Sequence, residues 1–159
     1  MEIKRILWLE DQNEDFSAFR STLFRNGYIV EFIKSVSEAE KKISESDYIA
    51  YIFDIKVLPG ENPEWINLDK KKKDEDPNFE SYLGLELLRS LFNSEKAQAK
   101  IDSSARIDPK KVIVFSIVYD KVQELSSFGI PVEQIVNKSS ADLNTLPELI
   151  KKIAANQGN

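Results

Sequence analysis

Five polar residues with catalytic potential each follow or close a short apolar segment of the sequence. They are Glu10, Asp11, Asp54, Ser116 and Lys138. Apolar segments of this length are typical of buried strands. Because parallel strands end at the same edge of a sheet, the side chains that follow them come together there. We therefore expect carboxylates, a hydroxyl and an ammonium group to share one site.

The carboxylates of this predicted site suit a divalent cation. Carboxylates held close together repel one another and raise the pKa of at least one of them unless a cation is bound. A set of ligands made only of oxygen atoms suits Mg²⁺ far better than a transition metal. With Mg²⁺ bound, Asp54 could attack a phosphoryl group as a nucleophile, while Ser116 and Lys138 hold its oxygens.

Each of these residues alone has an ordinary structural explanation. Glu10 and Asp11 could cap a helix, and Asp54 could open a loop. Ser116 could be a strand-end hydroxyl with a local partner, and Lys138 could be a solvated surface lysine. None of these explanations predicts that all the residues lie at successive strand ends in this order. We therefore favour the joint site.

The composition excludes several other classes of site and partner. The chain of 159 residues has no cysteine and no histidine, which excludes thiolate nucleophiles, imidazole bases and most zinc sites. Its net charge of -5 argues against a nucleic-acid backbone or an anionic membrane surface as the main partner. The first apolar run, residues 6–9, is too short for a signal peptide or a membrane span, so we expect a cytoplasmic protein.

Segments of helical periodicity alternate with the apolar runs along the chain. Predicted strands cover residues 5–9, 28–33, 48–53, 112–116 and 134–137. Predicted helices cover residues 14–25, 37–46 with Ser37 as its cap, 119–128 and 143–154, with helical spacing also at Leu83, Leu87, Leu88 and Leu91. Strands that alternate with helices predict an α/β domain with a mainly parallel sheet and right-handed crossovers.

A stretch after the third predicted strand breaks this pattern. Residues 61–80 contain prolines at positions 63 and 77 and a block of lysines at 70–73 that is followed directly by acids. We interpret the stretch as a mobile surface loop. Trp65, unless it folds back over the site, is then an exposed aromatic residue that could anchor a partner, whereas Trp8 belongs to the core.

Several segments resemble, in chain order, the sequence signatures of the receiver domain of bacterial two-component response regulators. They are residues 6–12 (ILWLEDQ), 52–55 (IFDI), 84–89 (GLELLR), 114–116 (VFS) and 135–138 (IVNK). The resemblance covers nearly the whole chain outside two inserted stretches. It implies the family's flavodoxin-like fold, a doubly wound parallel sheet of five strands in the order 2-1-3-4-5. We expect residues 1–159 to form a single domain of this kind, with an inserted loop at about 60–81 and a polar connection at about 97–111.

The resemblance also implies a reaction and a set of metal ligands. A phosphoryl group passes from the phosphohistidine of a histidine kinase or a phosphotransfer protein to Asp54, with Mg²⁺ as cofactor. Asp11 and Asp54 are then direct metal ligands, Glu10 acts mostly through water, and the backbone carbonyl of Lys56 completes the coordination. The stand-alone domain would signal through contacts with a downstream protein, without binding nucleic acid or a membrane.

Alternative functions follow from positions that depart from the family's pattern. Ile117 replaces a small residue, Ser139 replaces a proline, and Ile135 stands where an aromatic switch residue is expected. These departures favour a pseudo-receiver, an interaction module of the same fold that is not phosphorylated in the cell. A magnesium phosphatase of the haloacid dehalogenase type needs a second aspartate where this chain has Lys56. A nucleotide-binding domain is weaker still, because no glycine-rich loop follows the first strand.

Overall fold

A parallel sheet forms the centre of the protein. The computed structural model describes residues 3–101 and 105–157. The strands are β1 (Lys4–Leu9), β2 (Tyr28–Ile33), β3 (Ala50–Phe53), β4 (Val112–Ser116) and β5 (Ile135–Asn137). These five strands lie in the order β2-β1-β3-β4-β5, and every neighbouring pair is parallel. The predicted strand order and the flavodoxin-like topology are therefore confirmed.

Helices cover both faces of this sheet. They are α1 (Ser17–Arg25), α2 (Val36–Glu45), α3 (Pro63–Glu75), α4 (Leu83–Leu91), α5 (Val122–Ser127) and α6 (Thr145–Asn156). One apolar cluster joins α1 and α6 to one face, and a second joins α2, α3, α4 and α5 to the other. Strands β3 and β4 are buried along their whole length, which explains their continuously apolar sequence. None of the helices within residues 3–101 and 105–157 is long and apolar enough to cross a membrane.

Most predicted elements are present, but their ends and one cap differ from the prediction. The strand predicted at 48–53 begins at Ala50, and the helix predicted at 119–128 is limited to α5. The oxygen that caps α2 belongs to Ser35, which accepts a hydrogen bond from the Glu38 N–H at 3.3 Å. Ser37, the predicted cap, instead donates its hydroxyl to the carbonyl of Pro59. This bond ties the chain after β3 to the start of α2.

The polar connection predicted at 97–111 has little regular structure. Within its described part, only a short 3₁₀ turn at Pro109–Lys111 precedes β4, and residues 102–104 lie outside the described residues. Ala99, Ile101 and Ile107 nevertheless pack against the core on the α2–α5 side. The connection is therefore irregular in backbone but anchored by its few apolar side chains.

The inserted stretch after β3 contains a helix, so the prediction of a long loop at about 60–81 was wrong. Asn62 caps α3 by accepting a hydrogen bond from the Glu64 N–H at 3.0 Å. Pro63 takes the first position of α3, where the missing N–H of proline breaks no hydrogen bond. A proline interpreted as an interruption is thus the residue that begins the helix.

The buried face of α3 explains why its helical pattern was missed. Trp65, Leu68 and Asp69 are its buried residues, and Trp65 is 0% exposed, so its predicted exposure was also wrong. The Trp65 indole N–H donates to Glu40 Oε1 at 3.2 Å. Only the first two of these buried residues are apolar, which leaves too few apolar positions for a clear period.

Polar contacts fix the second half of α3. Asp69 Oδ1 accepts a hydrogen bond from the Ser81 hydroxyl at 2.9 Å. Lys72 Nζ lies 2.9 Å from Glu86 Oε1 on α4, and both side chains are largely buried. The helix is therefore docked on its neighbours at both ends, in contrast to the mobile segment that its charge and prolines predicted.

We expect Trp65→Ala to lower the free energy of unfolding by about 3–5 kcal/mol, because it empties a fully buried indole site. The matched control is Ile66→Ala on the same helix, since Ile66 is 43% exposed and its truncation should change stability by only about 0.5 kcal/mol. Urea unfolding followed by circular dichroism measures both variants. Equal small effects would show that α3 does not dock as described.

Candidate functional site

The carboxylates predicted to share a site do converge at the carboxyl edge of the sheet. Glu10, Asp11 and Asp54 each offer an oxygen, and these oxygens lie within 4.8 Å of one another. Glu10 and Asp54 are buried, and Asp11 is half-buried. The Glu10 N–H donates to the Ile33 carbonyl at 2.9 Å, and the Asp54 N–H donates to the Leu9 carbonyl at 3.0 Å. Backbone pairing with adjacent strands thus brings the acids together.

Lys138 completes this group. Its ammonium donates to Asp54 Oδ2 at 2.9 Å and also contacts Glu10 Oε2. The parallel pairing of β5 with β4 places Asn137 beside Ser116, and Lys138 begins the next turn. Asn137 Oδ1 caps that turn by accepting a hydrogen bond from the Ser139 N–H at 3.0 Å. The predicted contact between the lysine and the acids is therefore present.

Ser116 and Lys56 take different places at this edge. Ser116 is buried at the end of β4, and its hydroxyl accepts a hydrogen bond from the Val118 N–H at 3.1 Å. Lys56 lies two residues after Asp54, in the turn that follows β3, with an exposed side chain. The predicted roles of Ser116 and of the Lys56 carbonyl toward a ligand remain predictions.

Glu10 forms an acidic group with Asp11 and Asp54, and its surroundings raise its affinity for a proton. Burial, together with the negative charge of Asp54, raises the pKa of the Glu10 carboxyl from 4.5 to about 7. The ammonium of Lys138 and the Gln12 N–H act in the opposite direction and do not cancel the effect. Excess negative charge at a set of oxygen ligands is what a divalent cation neutralises. Glu10, Asp11 and Asp54 therefore fit Mg²⁺ in the chemistry of their donors.

Gly84 has a role at the site that sequence reasoning did not assign. A Cβ atom at this position would lie 2.0 Å from the Asp54 carbonyl oxygen, and the Gly84 N–H donates to the Ile55 carbonyl at 2.9 Å. The start of α4 thus packs directly on the turn that carries Asp54. A lone glycine near the start of an otherwise apolar helix was the available clue, since such a glycine usually has a packing reason.

Two aromatic rings lie beside Lys138 and were also not predicted as site residues. The ammonium is 4.6 Å from the ring centroid of Phe16 and 5.8 Å from that of Phe115. Phe16 ends a short 3₁₀ turn (Asn13–Phe16) that follows the acidic pair, and Phe115 lies in β4. In the sequence these residues were indistinguishable from ordinary core aromatics.

The positions that depart from the receiver pattern are spread around the rim and the core. Ile117 is 69% exposed. Ser139 is exposed and uses its hydroxyl to donate to Asn137 Oδ1 at 2.7 Å. Ile135 is buried among the apolar residues on the α2–α5 side of the sheet. None of the three replaces a residue of the acidic group.

Comparison with known proteins identifies the fold. No protein-family model and no curated protein matches the chain. Among solved structures, a sensor protein from Polaromonas sp. JS666 matches with a TM-score of 0.62 and 20% identity, covering 96% of this chain and 97% of its own. The bacteriophytochrome response regulator AtBRR matches with a TM-score of 0.58, 16% identity and coverage of 96% and 94%.

A response regulator receiver domain protein (CheY-like) from Methanospirillum hungatei JF-1 matches with a TM-score of 0.55 and 20% identity, covering 99% of this chain and 98% of its own. These structures span nearly the whole of both chains. At such identities the likeness concerns the fold, which is the fold of response regulator receiver domains.

The raised pKa of Glu10 predicts how stability depends on pH. Between about pH 4.5 and about pH 7 the folded state holds the Glu10 proton more tightly than the unfolded state. In metal-free protein this carboxyl therefore lowers the free energy of unfolding as pH rises through that window. Added Mg²⁺ should restore stability above pH 7, because it favours the charged carboxylate.

Urea unfolding with a chelator, near pH 5 and near pH 7.5, compares wild type with Glu10→Gln. The variant cannot titrate at this position, so its stability should fall less between the two pH values. Identical pH dependence in the two proteins would contradict the assignment of this effect to Glu10.

Proposed function

We propose that the protein accepts a phosphoryl group on Asp54 from the phosphohistidine of a histidine kinase or a phosphotransfer protein. The observation that carries this proposal is the contact of Lys138 with both Asp54 and Glu10 at the edge where the acids converge. A carboxylate nucleophile with an ammonium at hydrogen-bond distance is suited to phosphoryl transfer. The receiver-domain fold supports the same conclusion.

In the proposed reaction Asp54 is the nucleophile. Its Oδ1 accepts a hydrogen bond from the Ile55 N–H at 2.7 Å, which fixes the carboxylate plane. An Asp54 oxygen forms a bond to phosphorus as the P–N bond to the donor imidazole breaks. The nitrogen keeps the electron pair of that bond, and a donor imidazole that is protonated on its other ring nitrogen leaves as neutral imidazole.

Lys138 and Ser116 are proposed to stabilise the group in transfer. Phosphoryl transfer spreads negative charge over the equatorial oxygens of the transferring group. The Lys138 ammonium already lies next to the acceptor, so it can balance that charge without a large movement. Ser116 ends the strand next to β3 and offers a buried hydroxyl on the same edge.

A cation would be held by Asp11 and Asp54, with Glu10 through water and with the Lys56 carbonyl. Bound Mg²⁺ would neutralise the carboxylates and the phosphoryl oxygens. Because the chain supplies few ligands, we expect weak binding with several waters retained. The carboxylates therefore have two tasks, since Asp54 is both a metal ligand and the acceptor.

Partners follow from this chemistry. The chain has no histidine of its own, so the phosphohistidine of the proposed donor must belong to another protein. The receiver of the signal is a downstream protein, and we propose a cytoplasmic location for the exchange. Ile135, at the expected aromatic switch position, is buried in the core, so output through rotation of an exposed aromatic ring is not part of the proposal.

The test is phosphorylation with acetyl phosphate or phosphoramidate in the presence of Mg²⁺. Intact mass spectrometry should show a single added phosphoryl group in wild type and none in Asp54→Asn. The matched control is Asp120→Asn, which alters an exposed aspartate on the loop after β4 and should leave labelling unchanged. Labelling that persists in Asp54→Asn would place the acceptor elsewhere, and no labelling with any donor would favour the interaction module that is not phosphorylated.

A further inference from the structure

We propose that Phe16 is a positioning residue for Lys138 and holds the ammonium beside Asp54 through the face of its ring, with Phe115 as a second wall. The importance of this contact for phosphoryl transfer rests on the proposed function. The contact itself can be tested independently of that function.

Lys138 contacts both carboxylates and rings. Its Nζ contacts Glu10 and Asp54, and it lies 4.6 Å and 5.8 Å from the ring centroids of Phe16 and Phe115. Both distances are within the roughly 6 Å over which a ring face attracts a cation. Since the lysine side chain is only 10% exposed, water screens this attraction weakly.

The Phe16 ring is itself held in place by other aromatic residues. Its centroid lies 5.8 Å from that of Phe115 in an edge-on arrangement, 5.9 Å from Phe19 and 6.1 Å from Trp8. Trp8 in turn packs on Phe115 at 5.8 Å. A ring fixed by several neighbours can fix a cation, because its own position costs no further ordering.

The aromatic rings can keep their contact with the Lys138 ammonium throughout the reaction, whereas the carboxylates cannot. A bound cation would compete with Lys138 for the oxygens of Glu10 and Asp54, and transfer would convert the Asp54 carboxylate into an acyl phosphate. Each change weakens or removes a contact of the lysine. The ring faces of Phe16 and Phe115 take no part in these changes, so they keep a flexible side chain at the edge when its acidic partners are engaged.

The first measurement is the NMR shift of the Lys138 ε-methylene group in the presence of saturating Mg²⁺. A ring face at this distance moves the resonance upfield in wild type. Phe16→Leu should reduce the displacement to the smaller part that the Phe115 ring causes, while Phe16→Tyr, which retains a ring, should preserve it. The matched control is Phe128→Leu, since Phe128 is a partly buried phenylalanine that packs on Phe92 in the apolar cluster on the other face of the sheet. Equal shifts in Phe16→Leu and Phe128→Leu would overturn the proposal.

A second measurement uses a variant that loses the attraction between the ring and the ammonium but retains the shape of the ring. Pentafluorophenylalanine at position 16 has nearly the size of phenylalanine but reverses the electrostatics of the ring face. We expect the Lys138 ε-methylene to move away from the ring in this variant even though the fold is maintained. An unchanged position would show that packing alone, rather than the charge of the ammonium, explains the contact.

The third measurement is the rate of labelling at saturating phosphodonor. We expect Phe16→Leu to lower this rate about tenfold relative to Phe128→Leu, with half-saturation by donor and by Mg²⁺ unchanged, and Phe16→Tyr to restore it. Equal rates in the two leucine variants would overturn the positioning role. If wild type is not labelled at all, the proposed function fails, and the NMR shifts alone decide whether the rings hold the ammonium.

Discussion

Lys138 contacts Glu10 and Asp54, and these charges are largely buried. The surrounding structure must compensate for the free energy that their burial costs. Taking an ion out of water costs of the order of several kcal/mol, and a partner compensates for this only in good geometry. Burial and the negative charge of Asp54 keep the pKa of Glu10 raised although the Lys138 ammonium acts in the opposite direction. Backbone pairing of the strands, rather than attraction among the side chains, keeps the acids in one place.

A second group of buried charges connects α4 to its neighbours. Glu86 forms an ion pair with Lys72 of α3 at 2.9 Å and accepts a hydrogen bond from Arg89 at 2.7 Å. Arg89 in turn forms a bidentate pair with Glu124 of α5. Gly84, at the start of the same helix, contacts the backbone of Asp54. Helix α4 is therefore the element shared by the acidic site, the inserted helix and α5. A displacement of its first turn would alter all of these contacts together.

The resemblance to receiver domains predicted the strand order. The convergence of the acids with Lys138 could be predicted from the residues themselves, because apolar strand patterns and strand-end polar residues are local features. It did not predict α3, whose buried face contains Asp69 and the partly buried Lys72 and whose first residue is a proline. It also did not assign Gly84 or Phe16 to the site. Their roles come from contacts with residues distant in the chain, and neither a glycine nor a phenylalanine carries a chemical mark of such contacts.

Because of their placement, the fluorescence of Trp8 and that of Trp65 report on different parts of the protein. The chain has only these 2 tryptophans, and they lie in different apolar clusters on opposite faces of the sheet. In a chain that retains Trp8 alone, indole emission follows the layer of α1 and α6. In one that retains Trp65 alone, it follows the layer that contains the inserted helix. Single replacements by phenylalanine therefore allow the assembly of each layer during folding to be timed separately, without any added dye.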